Sequence, residues 1–435
     1  MFNVRHAAAS SLAVLALCTA VLPVLAQTTP PSPAPAADTA TRPFALSTGT
    51  VQAAIGTDLL WRVREPVAER FAAAGRDGDA VTVFAETLGV PWREFAENTE
   101  PRADHPWVRM QRELADAARA SGKPVSLQLT LARERYAREA VRDGTNIELR
   151  EVGSRCFDLN LGTEASYATA YPRYVTWMMR TYAPRWVNVS AEINGYLAAC
   201  GDGPAWRALV DLQRASYRAA KAVDANAVVY ASFLIDELYG KSLDGFDAAH
   251  YAALNNLSRD RFGLAMQIHG ARATDPVQLP RDYLSRVRDR NPKEAPLLVA
   301  DTGWNSRDLA LGTPSSCQRA AVPGNDAAAA AYLRWLLAQA RALNVDLVTW
   351  SSLFDALPAD VMTSCYPSAS WPFYRACGND SNCVFMNTQR SAAENAQAGE
   401  LRFKAEGAMG LRTYEGTPKG ALMQVWQEAL RQPRR

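Results

Sequence analysis

Two carboxylates stand out by type and setting. Glu192 lies in Trp-Val-Asn-Val-Ser-Ala-Glu-Ile-Asn-Gly-Tyr (186–196), and Asp301 in Pro-Leu-Leu-Val-Ala-Asp-Thr-Gly-Trp-Asn-Ser (296–306), each directly after a short apolar, β-branched run. Hydrolysis of a glycosidic bond needs such a pair on opposite sides of the bond: one carboxyl protonates the leaving oxygen, the other attacks the anomeric carbon or activates water. The neighbourhood suits a sugar. Trp304, Trp350, Trp371 and Tyr196 offer flat apolar faces on which rings can stack, while Asn194, Gln267 and His269 could hydrogen-bond hydroxyls. The same residues have plainer readings: Asp301 as an Asx-turn cap in Asp-Thr-Gly, the two tryptophans as plugs, and His269 as a satisfied core histidine.

Other chemistries lack their residues. Beyond the leader the histidines are His105, His250 and His269, none spaced as a zinc site. There is no Gly-x-Ser-x-Gly elbow, phosphate loop or dinucleotide fingerprint. No metal or cofactor is expected.

The elements that must position the pair follow from periodicity. Short apolar runs alternate with longer amphipathic, Ala/Arg/Leu-rich runs, which predicts parallel strands covered by helices. Strands are predicted at Phe44–Thr48, Ala80–Ala85, Val125–Leu129, Trp186–Ala191, Ala227–Phe233, Gly263–Ile268, Pro296–Ala300 and Asp346–Trp350. Helices are predicted at Thr57–Ala74, Pro106–Ser121, Tyr167–Tyr182, Pro204–Val223, Pro280–Arg290 and Asp326–Leu343. Eight such cycles close into an α/β fold of the (β/α)8 TIM-barrel type, whose sites are built at the C-terminal ends of the strands. The strand-end residues are then Glu86, Arg133, Glu134, Glu192, Asn194, Asp236, Glu237, Gln267, His269, Asp301, Trp304, Trp350 and Asp355. Of the consecutive pair Asp236 and Glu237, at most one is expected to point inward, and Arg133-Glu134-Arg135 reads as a solvated charge run.

Four motifs, in order, add a resemblance. The 186–196 and 296–306 segments resemble the strand-four and strand-seven motifs of clan A glycoside hydrolases, especially endo-β-1,4-galactanases. Val-Thr-Trp-Ser-Ser-Leu-Phe-Asp (348–355) is similar to that clan's strand-eight Trp, and Gly-Leu-Arg-Thr-Tyr-Glu-Gly-Thr-Pro-Lys-Gly-Ala-Leu (410–422) to its closing run. The resemblance implies Glu192 as general acid/base and Asp301 as nucleophile or base; from their types and places at the strand ends, Asn194, Gln267, His269, Trp304 and Trp350 are the expected substrate-binding residues. The sequence departs from the clan at two positions. The Asn expected before the acid/base is Ala191, and the nucleophile position holds Asp301 in place of Glu, which widens a separation of ~5–5.5 Å toward the inverting range of ~6.5–9.5 Å. Three outcomes stay open: a retaining enzyme, an inverting one, or a non-catalytic glycan-binding barrel accessory to polysaccharide handling.

Composition sets the compartment. Arg5 and His6, an apolar run from Ser11 to Ala26, and Val-Leu-Ala before Gln27 read as a secretory signal peptide over residues 1–26. Residues 27–43 form a Pro/Ala-rich linker and 44–435 one glycoside-hydrolase-like domain. A secreted or periplasmic location follows, with oligo- or polysaccharide as partner and a monomer as the expected state. Cys18 follows a Leu too large for a good lipoprotein signal. The other cysteines, Cys156, Cys200, Cys317, Cys365, Cys377 and Cys383, are even in number and fall in top-face loops, so disulfide-linked loops are expected, with Cys156–Cys200, Cys317–Cys365 and Cys377–Cys383 as one of fifteen pairings. The long connection 351–418 is predicted to form a wall or lid over the cleft. A net charge of +2 without a basic stripe argues against nucleic acid, and no later stretch approaches the ~20 apolar residues of a membrane span.

Overall fold

β-Branched runs become strands and Ala-rich runs helices in the computed structural model of the chain, which describes residues 41–50, 66–85, 90–97, 100–131, 138–143, 146–151, 162–239, 246–266, 276–290, 297–311, 320–355 and 407–435. The barrel strands are β1 (Ala45–Thr50), β2 (Ala80–Ala85), β3 (Val125–Leu129), β4 (Trp186–Asn188), β5 (Val228–Leu234), β6 (Arg261–Met266), β7 (Leu298–Thr302) and β8 (Leu347–Trp350). Each pairs in parallel with its neighbour in sequence, and β8 returns to pair with β1, which closes the barrel. All eight predicted strands are present. β4 is shorter than predicted, yet its hydrogen bonds continue through Val189 N–H to the Tyr230 carbonyl (3.1 Å) and Ala191 N–H to the Leu129 carbonyl (2.9 Å).

Among the described residues the α-helices are α1 (Val67–Arg76), α2 (Trp92–Glu97), α3 (Pro106–Ala120), α4 (Gly162–Tyr182), α5 (Asn194–Cys200), α6 (Pro204–Val223), α7 (Ile235–Leu238), α8 (Ala248–Ala253), α9 (Ser285–Arg290), α10 (Asp326–Ala342) and α11 (Gly420–Arg431). Local chemistry starts them. Asn325 caps α10 by accepting the Ala328 N–H at 2.7 Å, and His105 caps α3 by accepting the Trp107 N–H at 3.2 Å ahead of Pro106. His105 is thereby a structural residue. The first helix begins only at Val67, after Pro66, whose backbone is extended (ψ 155°); the predicted part before it, 57–65, lies outside the described residues. Likewise α9 begins five residues later than predicted, at Ser285.

Two antiparallel hairpins were not predicted: Arg138–Asp143 with Asn146–Glu151 after β3, and Arg307–Leu311 with Ala320–Asn325 after β7. The first carries a turn signal in Asp143-Gly144 between alternating apolar and charged residues.

Alternation sorts the strand residues into two faces. Ala45, Ala80, Trp186, Tyr230, Leu298, Ala300 and Leu347 pack together inside the barrel, while Leu46, Val81, Val187, Val299 and Val348 join the helices in the outer core. Above the inner apolar cluster the interior turns polar. Ser47, Thr82, Gln128, Asn188, Ser232 and Thr349 are all buried there, beginning with the Ser47–Thr82 hydroxyl pair at 2.6 Å.

Candidate active site

A bulge in β7 decides where Asp301 points. Leu298 and Ala300 face the interior, so strict alternation would turn Asp301 outward among the helices. On the β6 side, however, Leu264 and Ala265 face Val299 and Asp301, and on the β8 side Val348 and Trp350 face Val299 and Thr302, so β7 carries one extra residue at Ala300. Such a bulge re-aims the residue that follows it. Asp301 therefore shares the inward face of Ala265. Its Oδ1 accepts a hydrogen bond from the Ser351 hydroxyl at 2.5 Å, just past the end of β8. Its charge is felt inside the barrel: burial holds the Tyr230 phenol far above the ordinary tyrosine range, and Asp301 adds to the shift. After it the chain must be narrow. A Cβ on Gly303 would lie 2.3 Å from the Met409 sulfur, which accounts for glycine in Asp-Thr-Gly-Trp.

Glu192 is set by a different irregularity. It is half-buried and has φ 54°, a left-handed backbone that costs a non-glycine residue roughly 1–2 kcal/mol. Its N–H donates to Ser232 Oγ at 3.0 Å, and the next N–H, of Ile193, donates to the Ser232 carbonyl at 3.2 Å. Strain of this kind persists only where the surroundings impose it, and it collects at functional sites. In the strand order β4 and β7 lie three places apart, so Glu192 and Asp301 rise from well-separated parts of the barrel rim.

The surrounding residues divide. Asn194 does not reach a substrate: it is fully buried, its Nδ2 donates to the Leu234 carbonyl at 2.9 Å, and its Oδ1 accepts the Leu234 N–H at 2.7 Å, a clamp between α5 and the end of β5. Asn194→Ala is therefore expected to lower stability by roughly 1–3 kcal/mol by stranding two buried backbone groups, seen as a lower urea midpoint at unchanged slope. Trp304 (1% exposed) and Trp350 (0% exposed) take the plug reading and present no face to a sugar. Both pack on Tyr332 of α10, with ring centroids 5.0 and 6.1 Å away, because Trp350 falls on the helix-facing side of β8. Tyr196 is also buried, stacked on Trp206. Of the acidic pair, Asp236 is the buried one and accepts the Tyr283 hydroxyl at 3.0 Å. Gln267, His269, Trp371, Glu86, Arg133, Glu134 and Arg135, the predicted lid over most of its length, and all the cysteines expected to pair except Cys200 lie outside the described residues.

Two neighbours escaped the sequence reading. Ser351 holds Asp301, and its only signal is its place one residue beyond the strand-eight tryptophan. Lys419 projects from the closing run into the top of the barrel, where its Nζ donates to Asp355 Oδ1 at 2.6 Å and to Ser306 Oγ at 2.5 Å. Among the described residues no group of three or more His, Cys, Asp or Glu could hold a metal, and no helix is long and apolar enough to cross a membrane.

No family model matches the sequence, and no curated protein does. Solved structures do match. The exo-β-1,4-mannosidase Op5Man5 from Opitutaceae bacterium strain TAV5 is similar at 14% identity and a TM-score of 0.51, over 84% of this chain and 55% of that one. A GH5_18 protein from Streptomyces cattleya in complex with Manβ1-4GlcNAc is similar at 15% identity and a TM-score of 0.49, over 84% and 75%. The Ignisphaera aggregans GH53 catalytic domain stands at 12% and 0.44, over 84% and 89%. This chain spans only about half the length of the mannosidase. What it shares with that enzyme is the (β/α)8 barrel fold.

Proposed function

We propose that the protein is a glycoside hydrolase acting on a β-linked glycan, with Glu192 as general acid/base and Asp301 as nucleophile or general base. The observation that carries this reading is the pair of backbone irregularities. A bulge turns Asp301 inward and a left-handed residue sets Glu192, and neither is needed to close a barrel. Two carboxyl groups presented from separate strand ends at one barrel mouth are what glycoside hydrolysis uses. The ordered resemblance of the four motifs supports the same chemistry, and the barrel shared with a mannosidase is consistent with it.

The sugar contacts proposed for the sixth strand end, Gln267 and His269, remain part of this reading, whereas Asn194, Trp304 and Trp350 leave it. Export through the 1–26 leader would place the activity in the periplasm or outside the cell, with an oligo- or polysaccharide as the partner. Purified protein assayed against a panel of β-linked mannans, galactans, xylans and glucans is expected to release reducing ends from at least one of them. Binding to a glycan with no release from any would instead favour a non-catalytic glycan-binding barrel, a reading that Ala191 and the shorter Asp301 keep in play.

A further inference from the structure

TIM-barrel interiors are ordinarily filled by branched apolar side chains. Beneath Glu192 and Asp301 this one is not. Gln128 on β3, Asn188 on β4 and Ser232 on β5 are 3%, 0% and 1% exposed, and hydrogen bonds join them in one line. The Glu192 N–H donates to Ser232 Oγ at 3.0 Å. Asn188 Nδ2 donates to the same Oγ at 2.7 Å and to Gln128 Oε1 at 2.8 Å. Gln128 Nε2 donates to the Tyr230 hydroxyl at 2.6 Å and to the Ala300 carbonyl at 3.2 Å, across the barrel.

The direction of the line is determined. Asn188 Oδ1 accepts the Ser190 N–H at 3.1 Å, so its Nδ2 must face Ser232 and Gln128; Gln128 must then turn its oxygen to Asn188 and its nitrogen to Ala300. Both ends of the line meet the backbone irregularities that aim the carboxylates. At one end is the left-handed Glu192. At the other is the bulged Ala300, which has left the regular ladder and whose carbonyl meets Gln128. The line also satisfies three backbone groups, the Ser190 and Glu192 N–H and the Ala300 carbonyl, and so ties the two irregular segments to each other.

We propose that Gln128, Asn188 and Ser232 are positioning residues that set the aim and separation of Glu192 and Asp301. The proposal rests on the glycoside hydrolase reading. A fully satisfied buried network is rigid, and rigidity is what a two-carboxylate site needs, since a misplacement of about 1 Å costs about a hundredfold in rate.

The test uses Ser232→Ala, Gln128→Met and the double variant, assayed on the glycan that the parent cleaves, below the unfolding range of each. Each single change is expected to lower kcat by about 10–100-fold with KM within about twofold, and the double variant to lose little more, because both cut the same line. Unchanged kcat in either single variant, or losses that multiply in the double, overturns the proposal. If the parent cleaves no glycan, the glycoside hydrolase reading falls by itself. Positioning is then read without substrate, from hydrogen exchange at the Glu192 amide, which Gln128→Met, with two side chains intervening, is expected to accelerate about tenfold. Unchanged exchange there overturns it.

Discussion

Glu192→Gln is expected to lower kcat/KM on a β-linked oligosaccharide by about 10²–10⁴-fold, the usual contribution of a general acid, while leaving the affinity for that oligosaccharide nearly unchanged. Glutamine has the same shape, keeps the Glu192 N–H on Ser232 Oγ, and tolerates the same backbone as well as glutamate does. What it cannot do is deliver a proton. The loss should therefore depend on the leaving group. An aryl glycoside whose phenolate departs unaided is expected to lose far less than the natural linkage, whereas Asp301→Asn should slow both alike, because attack at the anomeric carbon is needed whatever departs. A structural Glu192 would give equal losses on the two substrates, accompanied by a lower melting temperature.

Lys419→Met is expected to destabilise the fold by roughly 3–5 kcal/mol, the scale of breaking a buried ion pair from one side. Asp355, at the end of the strand-eight segment, is 4% exposed in its side chain and Lys419 is 8% exposed. Their bond is supported by the Gly410 N–H on Asp355 Oδ1 at 2.9 Å and by Arg307, 3.7 Å from Oδ2. Burial pushes the Asp355 carboxyl above the usual carboxylate range and the Lys419 ammonium below its own; each partner only partly offsets the other's burial. With Lys419 gone, Asp355 moves further up. A carboxyl whose folded pKa exceeds its unfolded one favours the fold below the unfolded pKa, and that contribution is lost as pH rises through the folded pKa. The variant's deficit, read from urea midpoints, should thus shrink as pH falls from neutral toward the carboxylate range. Adding Asp355→Leu to Lys419→Met is expected to restore much of the loss, since the double change removes both charges of the buried pair and Arg307 keeps its contact with water.

Periodicity carried the fold. Eight β-branched runs separated by amphipathic ones leave few architectures other than a closed parallel barrel, and no strand was misplaced by more than a few residues. The errors have identifiable causes. The amphipathic pattern runs through Pro66, but proline, lacking an N–H, belongs at a helix start, and the helix begins at Val67. The hairpin after β3 leaves only a weak signal, because its many charged residues mask the alternation around Asp143-Gly144.

The site was legible only in part. Glu192 and Asp301 could be found because a strand end followed by a small-residue turn leaves a signature in sequence. Their aim could not, since one inserted residue reverses the facing of Asp301 and the pairing register appears only in three dimensions. The same holds for the tryptophans. Trp350 looks like a sugar platform from its type and position, but alternation counted from Leu347 puts it on the helix side. Asn194, as a polar residue next to the acid, invited a substrate role that its bonds to Leu234 already fill.

The most direct test of the central claim is a crystal structure of the Glu192→Gln protein with a cleavable β-linked oligosaccharide bound. The scissile oxygen is expected within hydrogen-bond reach, about 3 Å, of the side chain at position 192, and the Asp301 carboxylate on the opposite side of the anomeric carbon, the two groups ~5–9.5 Å apart. A sugar seated away from both side chains, or a separation well beyond that range with the sugar in place, would contradict that claim.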